Sequence, residues 1–149
     1  MQALYAHEQS GTSPSRLAYM IIEPKLEDDA ETRAFAERLF QTTIDTMEEA
    51  DEIIAKHATN WDIHRIAVVD RSLLRMATTE FLEFEEIPPK VSIDEALEIA
   101  KVYSTPSSNT FINGVLDAVL MDLQRQDRLH KTGRGLIGMD AIRERAQSS

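Results

Sequence analysis

A few groups of residues in this 149-residue chain have the types and spacing to do chemistry. Glu48, Glu49, Asp51 and Glu52 crowd one short stretch, and neighbouring carboxylates can work as general acid and base. His7, His57, His64 and His130 offer metal ligands or proton carriers. Gly133, Gly135 and Gly138 reproduce the G-x-G-x-x-G spacing of dinucleotide-binding turns. Asn113 and Gly114, flanked by Thr110 and Asp117, place hydrogen-bonding groups beside a helical position that has no side chain.

Most of these groups fail when set against the elements that would hold them. The four acids fan around a helix whose apolar residues are Ile44, Met47, Ile53 and Ile54, so they read as a solvated face. The histidines show no H-E-x-x-H spacing, and a predicted helix break separates His57 from His64, so no metal site is expected. The glycine fingerprint needs a strand before it and an acid about twenty residues after it. Asp127 to Thr132 is not a strand, and the chain ends soon after Gly138. The chain has no Cys, hence no disulfide framework, and it has no nucleophile-elbow sequence. No catalytic constellation and no cofactor motif emerges, so the chain reads as a non-enzyme. Asn113-Gly114 remains. Gly costs about 1 kcal/mol relative to Ala inside a helix. The compensation is either close packing of another helix or close approach of a ligand backbone, and physics alone favours packing.

The elements that position these residues are helical. Ile66, Val69, Leu73, Met76 and Phe81 recur at three- and four-residue steps, predicting a central helix from Arg65 to Leu82. Its arginines, with Asp70 and Glu80, are expected off the apolar stripe or at its margin. Gln2 to Glu8 predicts a short helix with no N-cap, stopped at Ser10-Gly11. Ser13-Pro14 opens another that Pro24 ends. Asp28-Asp29 opens a helix with a stripe continuing to His57. Asn60 or Asp62 caps the central helix, and Trp61 wedges between helices. Ser92 and Glu95 form a capping box for a helix to Tyr103, and Ser107 or Ser108 caps a last long helix through Leu123. The expected fold is all-α: a compact bundle of about six to seven helices in two packed helical subdomains. Residues 1–126 form the domain, and residues 127–149 form a flexible basic tail with a short helix around Ala141 to Ala146.

Bulk properties narrow the class. An apolar fraction of 42% supports a sizeable core. The net charge of −10 argues against a general nucleic-acid coat and suits a basic protein partner. Charge is uneven, because Arg125, Arg128, Lys131, Arg134, Arg143 and Arg145 outnumber Asp127, Asp140 and Glu144 near the end. No apolar run reaches the length of about 18 residues needed to span a membrane, and the start lacks a signal-peptide pattern, so a cytoplasmic location is expected.

Four segments carry a resemblance: QALYA (Gln2 to Ala6), LLRMATTEFL (Leu73 to Leu82), IPPKVSIDEALEIAKVYS (Ile87 to Ser104) and FINGVLDAVL (Phe111 to Leu120). Together they resemble the NusB-type bacterial transcription antitermination factors through most of the chain up to Leu123, whereas Gly11 to Ile63 matches only in helical pattern. The resemblance implies a non-enzymatic protein that pairs with NusE, a basic protein that doubles as a small-ribosomal-subunit component. The pair binds the boxA element of ribosomal RNA leaders within the RNA polymerase antitermination complex. By position, the implied RNA-facing set is Gln2, Tyr5, Phe111, Asn113, Gly114 and Asp117, and Asp70, Arg71 and Glu80 are assigned to the NusE side. Two departures bear on affinity. The family usually has an arginine-rich segment before QALY, where only Met1 precedes Gln2. It often has a basic residue where this chain has Thr110. Either the start is truncated or the protein leans on its partner for phosphate contacts. Two other readings stand beside this one: a detached NusB-like domain of a ribosomal RNA cytosine methyltransferase, and a homodimeric interaction module that has lost RNA binding.

Overall fold

The computed structural model describes residues 1–11, 29–58 and 65–148. Among these residues lie seven α-helices and no strand: α1 (Gln2–Ser10), α2 (Ala30–Asp45), α3 (Met47–His57), α4 (Val68–Glu83), α5 (Pro89–Tyr103), α6 (Pro106–Arg125) and α7 (Met139–Gln147). A 3-10 turn, Gly133–Leu136, precedes α7. The expected helix after Ser13-Pro14, Trp61, the caps at Asn60 or Asp62, and His64 lie outside the described residues.

α4 organises the bundle because its apolar residues serve two cores. Leu73, Leu74, Ala77 and Phe81 are almost fully buried in the larger core. They meet Ile53 and Ile54 of α3, Ala96 and Ala100 of α5, and Ile112, Leu116 and Val119 of α6. Met76 turns the other way, toward a smaller core of Ala3, Leu4 and Phe40. Each fully buried Leu, Ile or Phe contributes about 1.5–3 kcal/mol by leaving water. That packing sustains α1, which has no side-chain cap at Met1 and stops at Gly11 with a positive φ of 69°.

The structure corrects several expected boundaries. The stripe leading to His57 is split at Thr46, whose hydroxyl donates to the Thr42 carbonyl at 2.8 Å and meets the Thr79 hydroxyl at 3.0 Å. The central helix starts at Val68, not Arg65. α5 opens at Pro89, after an extended Pro88 with φ −60° and ψ 138°, so Ser92 is not its N-cap but a buried residue inside it. Thr105 caps α6 by accepting from the Ser108 amide at 3.3 Å, with Pro106 in the first turn.

Two corrections are larger. Asp70, Arg71 and Glu80 are not marginal or exposed; each is buried, as is Arg75. Burial of Asp70, Arg71 and Arg75 is offset by hydrogen bonds and ion pairs to neighbouring segments, and Glu80 lies near the charge of Lys131. The expected loose tail is also packed. Leu129, Met139, Ile142 and Ala146 join the larger core. Lys131 is buried and donates to the carbonyls of Glu80 and Phe84. The Thr132 amide donates to the Glu85 carbonyl at 3.0 Å. At Gly135 a Cβ would stand 1.9 Å from that same carbonyl oxygen, so the chain approaches the end of α4 as only glycine can. The glycine fingerprint is therefore turn and packing geometry.

Candidate nucleic-acid interface

The six residues assigned to RNA divide between two helices. Gln2 and Tyr5 belong to α1, where Gln2 is exposed and Tyr5 is 44% exposed. Gln2 Nε2 donates to the Tyr103 hydroxyl at the end of α5, at 3.4 Å. Phe111, Asn113, Gly114 and Asp117 belong to α6. Phe111 is half-buried and packs against the larger core, which leaves part of its ring outside. Asn113 and Gly114 are exposed. A Cβ built on Gly114 meets nothing within 4 Å, so the packing explanation for this glycine is corrected: no described helix lies against it. With Thr110 one turn earlier and Asp117 one turn later, this side of α6 is polar and open.

Asp117 is tied to the C-terminal helix. One terminal nitrogen of Arg145 reaches both of its carboxylate oxygens, at 3.0 and 2.8 Å. The pairing raises the Arg145 pKa, chiefly through this hydrogen bond. Spacing does not reveal the contact, because the partners stand far apart in sequence and the segment between them reads as loose.

Next to Phe111 a cavity of about 350 Å³ is lined by Arg65, Asp70, Ser107 and Ser108 among others. Asp70 faces it with both oxygens occupied, accepting from the hydroxyls of Ser104 and Ser108 at 2.6 Å each. Asp70 therefore fastens the start of α4 to the junction of α5 and α6. Arg71 donates to the Ile66 carbonyl at 2.9 Å and is ion-paired with Glu8, tying α1 to α4. Arg75 grips Asp51 through two nitrogens, Nε to one oxygen at 2.7 Å and Nη2 to the other at 2.8 Å. These residues form an internal frame.

Glu80 differs from its neighbours in lining a groove of about 720 Å³. The groove runs between α2, α4 and α5, with Phe35, Met76, Val91 and Ile137 among its apolar walls. Phe35, Val91 and Ile137 are exposed, and Glu86, Glu95 and Arg134 stand in the lining. Burial pushes the Glu80 carboxyl up to about 7, against the nearby Lys131 charge and the Ser92 hydroxyl, which pull it down. Burial likewise pushes Lys131 down to about 8, with Glu80 opposing.

Among the described residues, no group of three or more His, Cys, Asp or Glu side chains is arranged to hold a metal. His57 is bound to Asp122 across α3 and α6 at 2.8 Å. No described helix is long and apolar enough to cross a membrane.

Known proteins match this arrangement. The sequence profile of the NusB family matches residues 1–121. The chain is 64% identical over 149 residues to the transcription antitermination protein NusB of Salinibacter ruber, covering all of this chain and 93% of that protein. Among solved structures it is similar to T. maritima NusB, with a TM-score of 0.71 and 36% identity over 79% of this chain and 82% of that one. It is also similar to a chain in a crystal structure of antitermination factors NusB and NusE in complex with dsRNA, with a TM-score of 0.72 and 28% identity over 78% of this chain and 86% of that one. The extent of these matches and the shared helical fold establish that this chain belongs to the NusB family.

Proposed function

We propose that this protein is a transcription antitermination factor that pairs with a NusE-type ribosomal protein and binds boxA RNA from ribosomal RNA leaders. It acts in the cytoplasm as part of the RNA polymerase antitermination complex and catalyses no reaction itself. The observation that carries this reading is the open side of α6, where Asn113, Gly114 and Asp117 face outward and, among the described residues, nothing fills the space at Gly114. Two findings support it. A relative matched over nearly its whole length is named an antitermination protein, and a similar chain was solved with NusE and double-stranded RNA. The name of that relative favours this reading over a detached methyltransferase domain or a homodimer module.

The chemistry divides by residue. Tyr5 and Phe111 stack on unpaired bases, and Gln2 and Asn113 hydrogen-bond to base edges. Gly114 lets the RNA backbone come close. Asp117 accepts from a base amino group. The NusE-type partner, being basic, seats against the groove that Glu80 lines, drawn by the −10 charge of the chain and by the exposed Phe35 and Val91. Asp70 and Arg71 act behind this surface by fixing α4 to α1 and α6. Thr110 is uncharged, so RNA affinity is expected to be modest until the partner adds its own phosphate contacts.

The test is a titration of boxA and scrambled RNA with and without the NusE-type partner. The proposal expects tighter binding of boxA than of scrambled RNA, and a gain on adding the partner. Equal binding of both RNAs with no gain contradicts it.

A further inference from the structure

We infer that the C-terminal helix α7 is part of the RNA-binding surface, with Arg145 acting as a positioning residue that neutralises Asp117 and lets phosphate approach α6. The inference rests on the RNA-facing assignment of α6 given above. Its starting point is a charge mismatch. Gln2, Tyr5, Phe111, Asn113, Gly114 and Asp117 include no cation, and their only ionised group is an acid. A surface so composed repels the polyanion it is meant to hold. The cation bonded to that acid comes from outside the set. Arg145 reaches both oxygens of Asp117, and both side chains stay well exposed, at 55% and 42%. The neutralised pair therefore lies at the surface where RNA arrives.

The position of Arg145 is fixed by packing. Met139, Ile142 and Ala146 are buried in the larger core at helical spacing, which turns the face carrying Arg145 outward along α6. Arg125 of α6 pins the far end of α7 by donating to the Ala146 carbonyl at 3.2 Å. The family profile stops at residue 121, before α7 begins. Within this chain, the helix beyond the matched region thus corrects the charge of the matched surface. If Arg145 is lost, Asp117 faces the RNA uncompensated. If Asp117 loses its charge, the local field turns positive toward phosphate.

The experiment is fluorescence anisotropy with single-stranded boxA RNA across a salt series, on the full chain with the NusE-type partner present. Arg145→Ala should weaken binding about three- to ten-fold at low salt, and the loss should shrink as added salt screens the uncompensated charge of Asp117. Asp117→Asn alone should tighten binding, and adding it to Arg145→Ala should return the affinity to within about two-fold of the original chain. Arg145→Lys should keep most of the affinity. The inference is overturned if Arg145→Ala binds as the original chain does, or if its loss is not restored by Asp117→Asn, which would mean that the arginine serves only to hold α7 in place. A failure of the original chain to prefer boxA over scrambled RNA is seen before any variant is made. It would overturn the RNA-facing assignment of α6 and this inference with it.

Discussion

Lys131 donates from its ammonium to the main-chain carbonyl of Glu80 at 2.9 Å, latching the segment after α6 to the C-terminal end of α4. A second bond to the Phe84 carbonyl, at 2.8 Å, sets the cation where the helix dipole favours positive charge. The Glu80 side chain shares this buried region, and each group opposes the desolvation of the other.

The pair gives the protein a distinctive dependence of stability on pH. Glu80 titrates higher in the fold than its unfolded value of 4.5, so its contribution is complete below 4.5 and is lost as pH rises to about 7. Lys131 titrates lower than its unfolded value of 10.5, so its contribution is complete above 10.5 and is lost as pH falls to about 8. Urea denaturation of Glu80→Gln beside the original chain isolates the first limb. The variant should lose the decline between 4.5 and about 7 and be relatively more stable above it. Parallel stability curves for the two proteins contradict this account.

Gly114→Ala separates folding from function at one position. A Cβ there meets nothing within 4 Å, so the variant should gain about 0.5–1 kcal/mol of stability from helix propensity. The same methyl occupies the space proposed for the RNA backbone, so boxA affinity should fall. A denaturation curve and an RNA titration on one preparation check both halves. A destabilised variant would restore the packing explanation of this glycine.

Gly135→Ala should behave in the opposite way. Its Cβ would stand 1.9 Å from the Glu85 carbonyl oxygen, a main-chain atom that cannot swing aside. A loss of about 2–3 kcal/mol is expected from forced separation of the C-terminal segment from α4. Hydrogen exchange should show the added opening first in α7. Unchanged exchange there contradicts the latch.

Arg75→Ala removes the grip on Asp51, whose two hydrogen bonds measure 2.7 and 2.8 Å, and leaves a part-buried carboxylate without its main partner. The loss should be about 3 kcal/mol, as for breaking other buried ion pairs by deleting one side. Asp51→Asn, which keeps a neutral acceptor for the arginine, should lose less. Equal losses in thermal melts would show that shape rather than charge pairing is what Arg75 supplies.

The periodicity of Leu73, Ala77 and Phe81 is enough to identify the central helix, because a core-facing stripe is written in local spacing. The polar side of α6 is legible for the same reason, because Thr110, Asn113, Gly114 and Asp117 repeat at helical steps, but spacing favours packing at Gly114 and its openness appears only in the fold. Spacing cannot show contacts between distant residues. Arg75 and Asp51, Arg145 and Asp117, and Lys131 and the carbonyls of α4 meet only once the helices pack. Charged residues beside an apolar stripe therefore read as exposed when they are framing groups inside the bundle. The packed C-terminal segment reads as loose because its three glycines resemble a flexible linker. Met139, Ile142 and Ala146 do carry a short stripe, and Leu129 a single apolar anchor.

In the proposed arrangement RNA lies on α1 and α6, and the protein partner lies on the groove lined by Glu80. The most direct test is an amide chemical-shift map of the full chain, recorded with boxA RNA, with the NusE-type partner, and with both. The predicted result is two separate footprints. RNA should move Gln2, Tyr5 and the stretch from Thr110 to Asp117, and the partner should move residues around Phe35, Glu80 and Val91. Coincident footprints, or an RNA footprint that leaves α6 untouched, would contradict the account.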